Sequence, residues 1–426
     1  MPTKSYQATA LATLHETLRA QQESRHDKMI NGHDPFELDD MLREQITKNK
    51  IQSVLSTRYL RNRIAFRNSN CCVFERDLDA EPGCWLDDYK FKVQYAMTRE
   101  SFWKLHKLIQ MHQVFERKRF GRQQLPSEYQ LMILLSYLRT EGNGMTNVRG
   151  RAYFGIGRGT MQKYRERSVV AILDSLRSQT IYWPDRLERK DIARNFYTSH
   201  GMPNLVGVAD GTLFPLTFCP EREDWMDFNG RKLLYSLTCL IVNDDKKRIR
   251  YHHLGWPGST HDDRVLENSW LRMSSDNPDV FSPQEYIIGD SAYMARPWLV
   301  PAYKKPAGGT MHHESEVFNE MLAKPRVNLE HTICILKCRF PFLQSIRLKL
   351  KSGNHDLQII IQHIQVCMVL HNLLIGFDDN IDPTDHDDTL SDLDADNELN
   401  QPLPLLSASD TRRTQLKNYM LEMHHV

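Results

Sequence analysis

The chain has 426 residues, a length that suggests two or three domains. Hydrophobic residues make up 40% of it and charged residues 26%, which excludes a largely disordered chain. The longest apolar runs, such as 131–135 and 366–370, are far shorter than the roughly 20 residues that span a bilayer. The N-terminus is polar, and eight cysteines are scattered along the chain without a disulfide pattern. The sequence therefore predicts a soluble protein of a reducing compartment, with no membrane association.

The balanced net charge hides an uneven distribution. The chain carries 55 Lys and Arg against 54 Asp and Glu, but residues 378–398 hold ten acids and no Lys or Arg. Without that segment 55 basic residues face 44 acidic ones, and they cluster at 117–122, 158–167 and 337–351. A basic body favours a polyanion as partner. The acidic segment predicts a largely disordered tail over residues 376–426.

The first half of the chain shows helical patterns. Residues 1–90 form an N-terminal region of unknown role, and residues 91–180 predict an all-helical domain. Thr98 is a typical N-cap residue for the apolar positions that follow it, and Ser127 opens a second apolar helix that continues through Leu138.

Residues 146–172 have the form of a helix-turn-helix. A short helix, a turn with Gly155 and Gly157, and a basic helix with apolar positions at helical spacing follow one another. One interpretation places the basic side chains of the second helix on DNA; they are Arg158, Lys163, Arg165 and Arg167. The other is a helical hairpin whose charged face meets solvent, and the sequence leaves both open.

From Asn204 onward the pattern becomes strand-like and predicts an α/β domain over residues 200–375. Strands are expected at 205–209, 233–242, 248–254 and 286–289, the second and third forming an antiparallel hairpin. A helix is expected at 262–271, followed by a helical region at about 314–342 that is broken near Pro325. This order matches a ribonuclease-H-like core, a mixed sheet with flanking helices.

Three carboxylates stand at prominent positions in this domain. Asp210 and Asp290 each end a predicted strand, and Glu330 lies beside the apolar stripe of the late helix. Three such acids could clamp two Mg²⁺ ions roughly 3.5–4 Å apart, which phosphodiester cleavage and transesterification both use. Capping, turn formation and surface ion pairs are their alternative roles, and Arg326 is placed to pair with Glu330 one helical turn later.

Five motifs in this order resemble the PIF/Harbinger superfamily of DDE transposases, which includes host-domesticated nucleases. They are Gly207-Val-Ala-Asp210-Gly-Thr, Gly255-Trp-Pro-Gly-Ser-Thr-His261-Asp262, Ile288-Gly-Asp290-Ser-Ala-Tyr293, Arg326-Val-Asn-Leu-Glu330 and Leu336-Lys337-Cys-Arg339-Phe340. The resemblance covers about residues 97–375, including the helix-turn-helix pattern.

The resemblance implies a ribonuclease-H-like domain in which Asp210, Asp290 and Glu330 are the catalytic, metal-binding acids. It implies two Mg²⁺ or Mn²⁺ ions as cofactors. The implied activity is cleavage of double-stranded DNA at transposon ends and transfer of the 3′-hydroxyl strand to target DNA. It also suggests a Myb-like accessory protein, a homo-oligomer and a nuclear location, with the cytoplasm as a second location.

Four further residues are candidates for accessory roles at this site: His261, Asp262, Arg326 and Lys337. His261 could orient water, phosphate or an acid of the site, and Lys337 could meet a phosphate. Their ordinary alternatives are a turn in which Asp262 caps a helix, an ion pair with Glu330, and a solvated lysine. The alternative function is a domesticated, non-transposing DNA-binding protein with residual or no nuclease activity.

Overall fold

The computed structural model describes ten segments of the chain. They are residues 6–30, 38–56, 70–81, 84–116, 124–141, 147–230, 233–306, 309–351, 353–379 and 410–423. The chain divides into two compact units, residues 1–70 and 71–426. In the first unit, helices α1 (Tyr6–Ile30) and α2 (Leu38–Ser56) pack together, with Arg25 and Glu44 3.5 Å apart.

The second unit begins with a helical region. Its helices are α3 (Asn70–Leu78), α4 (Asp88–Tyr95), α5 (Arg99–Ile109), α6 (Ser127–Leu138), α7 (Asn147–Phe154), α8 (Arg158–Thr180) and α9 (Arg186–His200). The predicted cap at the start of α5 is confirmed, because the Thr98 side chain accepts a hydrogen bond from the Ser101 amide. Helix α6 begins at Ser127 as predicted and is buried along most of its length.

A five-stranded mixed sheet follows, and the α/β class is thereby confirmed. Its strands are β1 (Leu205–Pro215), β2 (Ser236–Asn243), β3 (Ile249–Pro257), β4 (Tyr286–Gly289) and β5 (Leu299–Pro301). The spatial order is β3-β2-β1-β4-β5. Strand β2 pairs antiparallel with both β1 and β3, and β4 pairs parallel with both β1 and β5.

Helices cover both faces of the sheet. They are α10 (Asp262–Glu267), α11 (Trp270–Met273), α12 (His313–Arg339), α13 (Asn354–Gly376) and α14 (Asp410–Met423). Val208 and Ile288 join an apolar cluster that includes residues of α12 and α13. Their chain neighbours Ala209 and Ile287 join a second cluster with residues of α10. This alternation is the period of two expected of strands buried on both faces.

The helical region and the sheet share a core. The cluster that contains Val208 also contains Phe102 of α5, Leu134 of α6 and Ile172 of α8. The predicted separation of residues 91–180 from 200–375 as distinct domains stays a prediction, as does the DNA-binding role of the helix-turn-helix pattern.

Three details of the predicted elements are wrong. Strand β1 does not end at Asp210 but continues to Pro215, because its residues from Val208 onward pair with β2. Helix α12 runs through Pro325 without a break. A proline costs one backbone hydrogen bond inside a helix, and here Leu322 and Leu329 are buried in one cluster on either side of it. The helix predicted at 262–271 is two short helices, and Trp270 in the second of them is 44% exposed.

Two helices near the end of the chain, α13 and α14, also differ from the expectations drawn from the sequence. Helix α13 is long and apolar enough to cross a membrane by length and composition, and 67% of its most apolar stretch is buried inside the protein. That burial is typical of a core helix. Within the tail predicted to be disordered, α14 is helical and buries Leu416, Met420 and Leu421; residues 380–409 lie outside the described residues.

Candidate active site

The parallel pairing of β1 and β4 brings two predicted acids together. The last paired residues are Val208 and Ile288, and each acid lies two positions further along its own chain. Because side chains alternate along a strand, Asp210 lies on the same face as Val208. The parallel register therefore places Asp210, within β1, beside Asp290, the first residue after β4.

Helix α12 completes this face with a cation. One terminal nitrogen of Arg326, Nη2, lies 4.0 Å from a carboxylate oxygen of Asp210 and 4.0 Å from one of Asp290. About a quarter of each of these three side chains is exposed. The sequence offered Arg326 as a partner for Glu330; the structure instead places its guanidinium between the two strand-end acids.

The electrostatics of Asp210 are unusual for an aspartate. Its carboxylate accepts hydrogen bonds from the Gly211 amide at 2.8 Å, and the Ser291 amide donates in the same way to Asp290. Burial raises the pKa of Asp210 to about 7, and the charges of Asp290 and Asp262 add to that effect against the opposing charge of Arg326. Like charges held in a low-dielectric pocket shift a pKa in this direction.

Asp262 approaches the pair from the other face of the sheet. A Cβ atom built on Gly211 would lie 2.0 Å from Oδ1 of Asp262, so the carboxylate rests against the glycine backbone. The helix α10 begins immediately after His261, which occupies the N-cap position. The turn predicted there is thus present, but Asp262 is the first residue of the helix and its side chain lies at the site.

The other predicted residues of the site are Glu330 and Lys337 on α12 and His261 at the start of α10. Glu330 is one helical turn beyond Arg326 and is exposed, as is His261. Lys337, two turns beyond Glu330, is half-buried. The structure therefore brings Asp210, Asp290 and Arg326 together, with Asp262 against Gly211 on the other face of β1, and the role of Glu330 stays a prediction.

The two neighbouring carboxylates of Asp210 and Asp290 are donors that suit a divalent cation. Carboxylate oxygens are the ligands that Mg²⁺ prefers, and the pKa of Asp210 is raised first by burial and then by the charges of Asp290 and Asp262. Among the described residues, no group of three or more His, Cys, Asp or Glu side chains stands in metal-binding geometry. Asp210 and Asp290 are the residues that would hold the ion, with Glu330 as the predicted third ligand.

The predicted DNA-binding helix is corrected at one residue. Arg165 is 9% exposed, and its guanidinium carbon lies 4.0 Å from the centroid of the Tyr137 ring, so it packs inside the helical layer. Arg158 and Lys163 are exposed. Arg167 donates to Gln124 at 2.5 Å and is half-buried.

The structure also changes the interpretation of the basic cluster at 337–351. Arg339 is 2% exposed and donates to the carbonyl of Ala96 at 3.0 Å, so it is a core residue. Arg347 lies over the Phe218 ring at 5.4 Å. The cluster at 117–122 lies outside the described residues.

Sequence reasoning missed the contribution of Tyr293 and Asp263. Tyr293 is 3% exposed and belongs to the apolar cluster behind the acids. Asp263 accepts hydrogen bonds from the Met294 amide at 3.0 Å and contacts Arg296 at 2.9 Å. Both residues stand inside motifs that the sequence singles out, but their contacts depend on the packing of α10 against the loop after β4.

The site thus combines a mixed sheet, two aspartates that lie side by side on it, and a long helix, α12, that brings Arg326 to them. Residues 209–372 match the family described as DDE superfamily endonuclease. The predicted resemblance to Harbinger-derived nucleases is confirmed. No solved structure matches the chain significantly.

Three relatives show the extent of the similarity. The chain is 28% identical over 247 residues to "Putative nuclease HARBI1" of Mus musculus, and to the protein of the same name of Homo sapiens. In both cases the match covers 58% of this chain and 66% of the relative. It is 29% identical over 261 residues to "Protein ALP1-like" of Arabidopsis thaliana, a match that covers 57% of this chain and 60% of the relative. The chain thus matches slightly less than two thirds of these relatives' length.

Proposed function

We propose that this protein is a divalent-metal-dependent DNA endonuclease with a ribonuclease-H-like catalytic domain. The observation that carries the proposal is the meeting of Asp210, within β1, and Asp290, directly after β4, where Arg326 lies 4.0 Å from both. The order of antiparallel strands, helix, parallel strand and long helix predicted for such a core supports it.

The residues of the site have distinct roles in this proposal. A divalent cation bound there supplies positive charge to the phosphate and lowers the pKa of the attacking water or hydroxyl. Asp210 of β1 and Asp290, directly after β4, would hold it, and Glu330 of α12 is the predicted third ligand. Arg326 balances part of the carboxylate charge and keeps the two acids at one place.

The substrate and partners extend the proposal beyond the site. We propose double-stranded DNA at transposon ends as the substrate, with two Mg²⁺ or Mn²⁺ ions, and strand transfer by the liberated 3′-hydroxyl as a second step. Arg158 and Lys163 are exposed on α8 and are available to DNA phosphates. A Myb-like accessory protein, a homo-oligomer and a nuclear location are proposed on the family resemblance.

The exposure of Glu330 and the position of Arg326 favour a second candidate function. An exposed Glu330 and an Arg326 placed between the aspartates also suit a domesticated protein that binds DNA without cutting it. Such a protein would bind DNA in a salt-dependent manner without divalent metal, and Asp290→Asn would leave that binding unchanged.

The test is cleavage of a duplex that carries the sequences flanking the gene, in Mg²⁺ or Mn²⁺, by wild type, Asp290→Asn and Glu330→Gln. We expect both variants to bind the duplex and to cut at least 100-fold more slowly. Exposed Asp276→Asn is the matched control and is expected to cut normally. Equal cleavage by Asp290→Asn and wild type would overturn the site. Binding without cleavage by wild type, with the Myb-like partner supplied, would support the second function.

A further inference from the structure

The turn after β4 decides where the carboxylate of Asp290 lies. Asp290 is the first residue after this strand, and the Tyr293 amide closes the turn by donating to the Asp290 carbonyl at 3.2 Å. A Cβ on Gly289 would lie 2.8 Å from the ring of Tyr293, a residue that is 3% exposed, so this ring packs against the end of β4. Ionised Asp210 and Asp290 repel each other, and the turn must hold Asp290 in place against that repulsion.

The far side of the turn is bonded to the start of α10. The Met294 amide donates to a carboxylate oxygen of Asp263 at 3.0 Å. Nη2 of Arg296 lies 2.9 Å from the same oxygen. Asp263 therefore contacts two residues that follow Asp290 closely in the chain, and these contacts tie the end of the turn to the helix.

Arg296 is the centre of these contacts. It is 8% exposed, and its guanidinium donates from Nε to Glu267 at 3.2 Å and from Nη1 to the Met294 carbonyl at 3.0 Å. Nη2 bonds both Glu267 and Asp263. The centroid of the Trp298 ring lies 5.9 Å from the guanidinium carbon. Because a guanidinium is planar and its N–H groups point in fixed directions, Arg296 sets the spacing between α10 and the turn.

Helix α10 is a firm anchor for the turn because it packs on the sheet. Val265 and Leu266 are fully buried, and they belong to the apolar cluster that also holds Ala209 of β1 and Ile287 of β4. Ala209 directly precedes Asp210 in the chain. Contacts from α10 therefore connect the turn to the same part of the sheet that carries Asp210.

We propose that Arg296 is a positioning residue of this site: with Asp263, it holds the turn so that Asp290 stays beside Asp210. The inference rests on the proposed endonuclease function. Arg296 acts through the backbone of the turn rather than on the substrate. A displacement of about 1 Å can cost roughly 100-fold in rate, so loosening the turn should reduce turnover while DNA binding by other surfaces persists.

The first experiment is hydrogen–deuterium exchange of the full chain in EDTA without DNA, read by mass spectrometry. Arg296→Met is compared with wild type and with Arg272→Met. Arg272 is the matched control because it also pairs with Glu267, at 3.4 Å, but donates to Ser275, outside the turn. We expect the amides of residues 290–296 to exchange about tenfold faster in Arg296→Met, with β1 and β2 unchanged. Arg272→Met should exchange as wild type does.

The second experiment is steady-state cleavage of the flanking duplex, which separates a positioning role from general stabilisation. We expect Arg296→Met to lower kcat about tenfold and to leave KM within about twofold of wild type. Arg272→Met should leave both constants unchanged. The melting temperature of each protein in EDTA is the check on folding.

Two variants of Asp263 provide a further test if Arg296→Met does not fold. Asp263→Ala removes the partner of both the Met294 amide and Arg296, and it should lower kcat as strongly as Arg296→Met. Asp263→Asn keeps an oxygen that can accept from the Met294 amide. We therefore expect this conservative variant to recover much of the lost kcat.

The outcomes separate this inference from the proposed function. Faster exchange in the turn with unchanged kcat would overturn the positioning role and leave the endonuclease intact, as would equal kcat values for Asp263→Ala and wild type. Exchange in Arg296→Met that matches wild type would show that Arg296 does not hold the turn. Losses that extend to KM and to exchange throughout the sheet would identify a structural residue only. Absence of cleavage by wild type would overturn the proposed function, whereas the exchange result, obtained without metal or DNA, would still decide whether Arg296 holds the turn.

Discussion

Two aspartates in this protein, one fully buried and one half-buried, show how differently the same side chain is used. Asp77 in α3 is fully buried, and its carboxylate accepts from the hydroxyls of Tyr95 at 2.7 Å and Tyr153 at 2.6 Å. Arg76 contacts it at 2.9 Å. The Asp210 carboxylate instead lies 4.0 Å from the guanidinium of Arg326. Burial and the charges of two other acids, Asp290 and Asp262, raise its pKa to about 7. The Asp77 carboxylate links α3, α4 and α7 through its hydrogen bonds and its ion pair with Arg76. The Asp210 carboxylate has a strongly shifted pKa, which is common for groups at functional sites.

The largest effect expected from this comparison is on activity. Asp210→Asn should reduce metal-dependent cleavage about 1,000-fold, or about 4 kcal/mol of transition-state stabilisation. The free energy of unfolding at pH 7.5 in EDTA should not fall, because the variant removes a repelled charge. The cleavage rate on the flanking duplex tests the predicted loss of activity. Urea denaturation tests the prediction that the free energy of unfolding does not fall. Retained cleavage with lower stability would show that Asp210 is structural, like Asp77.

The converse variant should act on stability. Asp77→Ala leaves two buried tyrosine hydroxyls and Arg76 without their acceptor, which should lower the free energy of unfolding by about 3 kcal/mol. Exposed Glu75→Ala, on the same helix, is the control and should change it by less than about 0.5 kcal/mol. Urea denaturation of the three proteins measures the difference, and equal stabilities would refute a structural role for the Asp77 network.

The pH dependence of stability should carry the signature of Asp210. Its folded-state pKa of about 7 exceeds the ordinary value of 3.8, so the folded protein binds the extra proton between these values. In EDTA, wild type should therefore lose stability relative to Asp210→Asn as pH rises from about 4 to about 7. A shift of this size allows at most about 4 kcal/mol, and the exposed quarter of the side chain reduces our expectation to about 2 kcal/mol.

The measurement is the difference between the two unfolding free energies across that range. The difference cancels the contributions of buried histidines such as His363 and His371, whose pKa values are lowered to about 4 by burial. A difference that stays flat from pH 4 to pH 8 would contradict the raised pKa.

The smallest effect should come from the guanidinium between the acids. Arg326→Gln should lower the free energy of unfolding at pH 8 in EDTA by about 1 kcal/mol, because Asp210 and Asp290 would then repel each other without a cation nearby. At pH 5 the loss should be smaller, since Asp210 is largely protonated there. Exposed Lys324→Gln, two residues earlier, is the control. A variant more stable than wild type at pH 8 would show that Arg326 does not balance these charges.

The sequence by itself determined the features that depend on neighbouring residues along the chain. The Thr98 cap, the start of α6 and the bounds of β4 were predictable, because caps and strand ends leave local signals. The motifs around Asp210, Asp290 and Glu330 identified the family, since their order and spacing are properties of the chain.

The tertiary structure decided what depends on distant contacts. Strand β1 passes Asp210 because β2 lies beside it, and α12 passes Pro325 because the core holds both of its halves. Arg165 has a typical DNA-binding sequence context, yet packing against Tyr137 buries it. The centre at Asp210 likewise gains Arg326, Asp262 and Tyr293 from three separate segments. Sequence spacing fixes which groups are available, but burial and distance, which set their charge and their partners, arise only when those segments pack together.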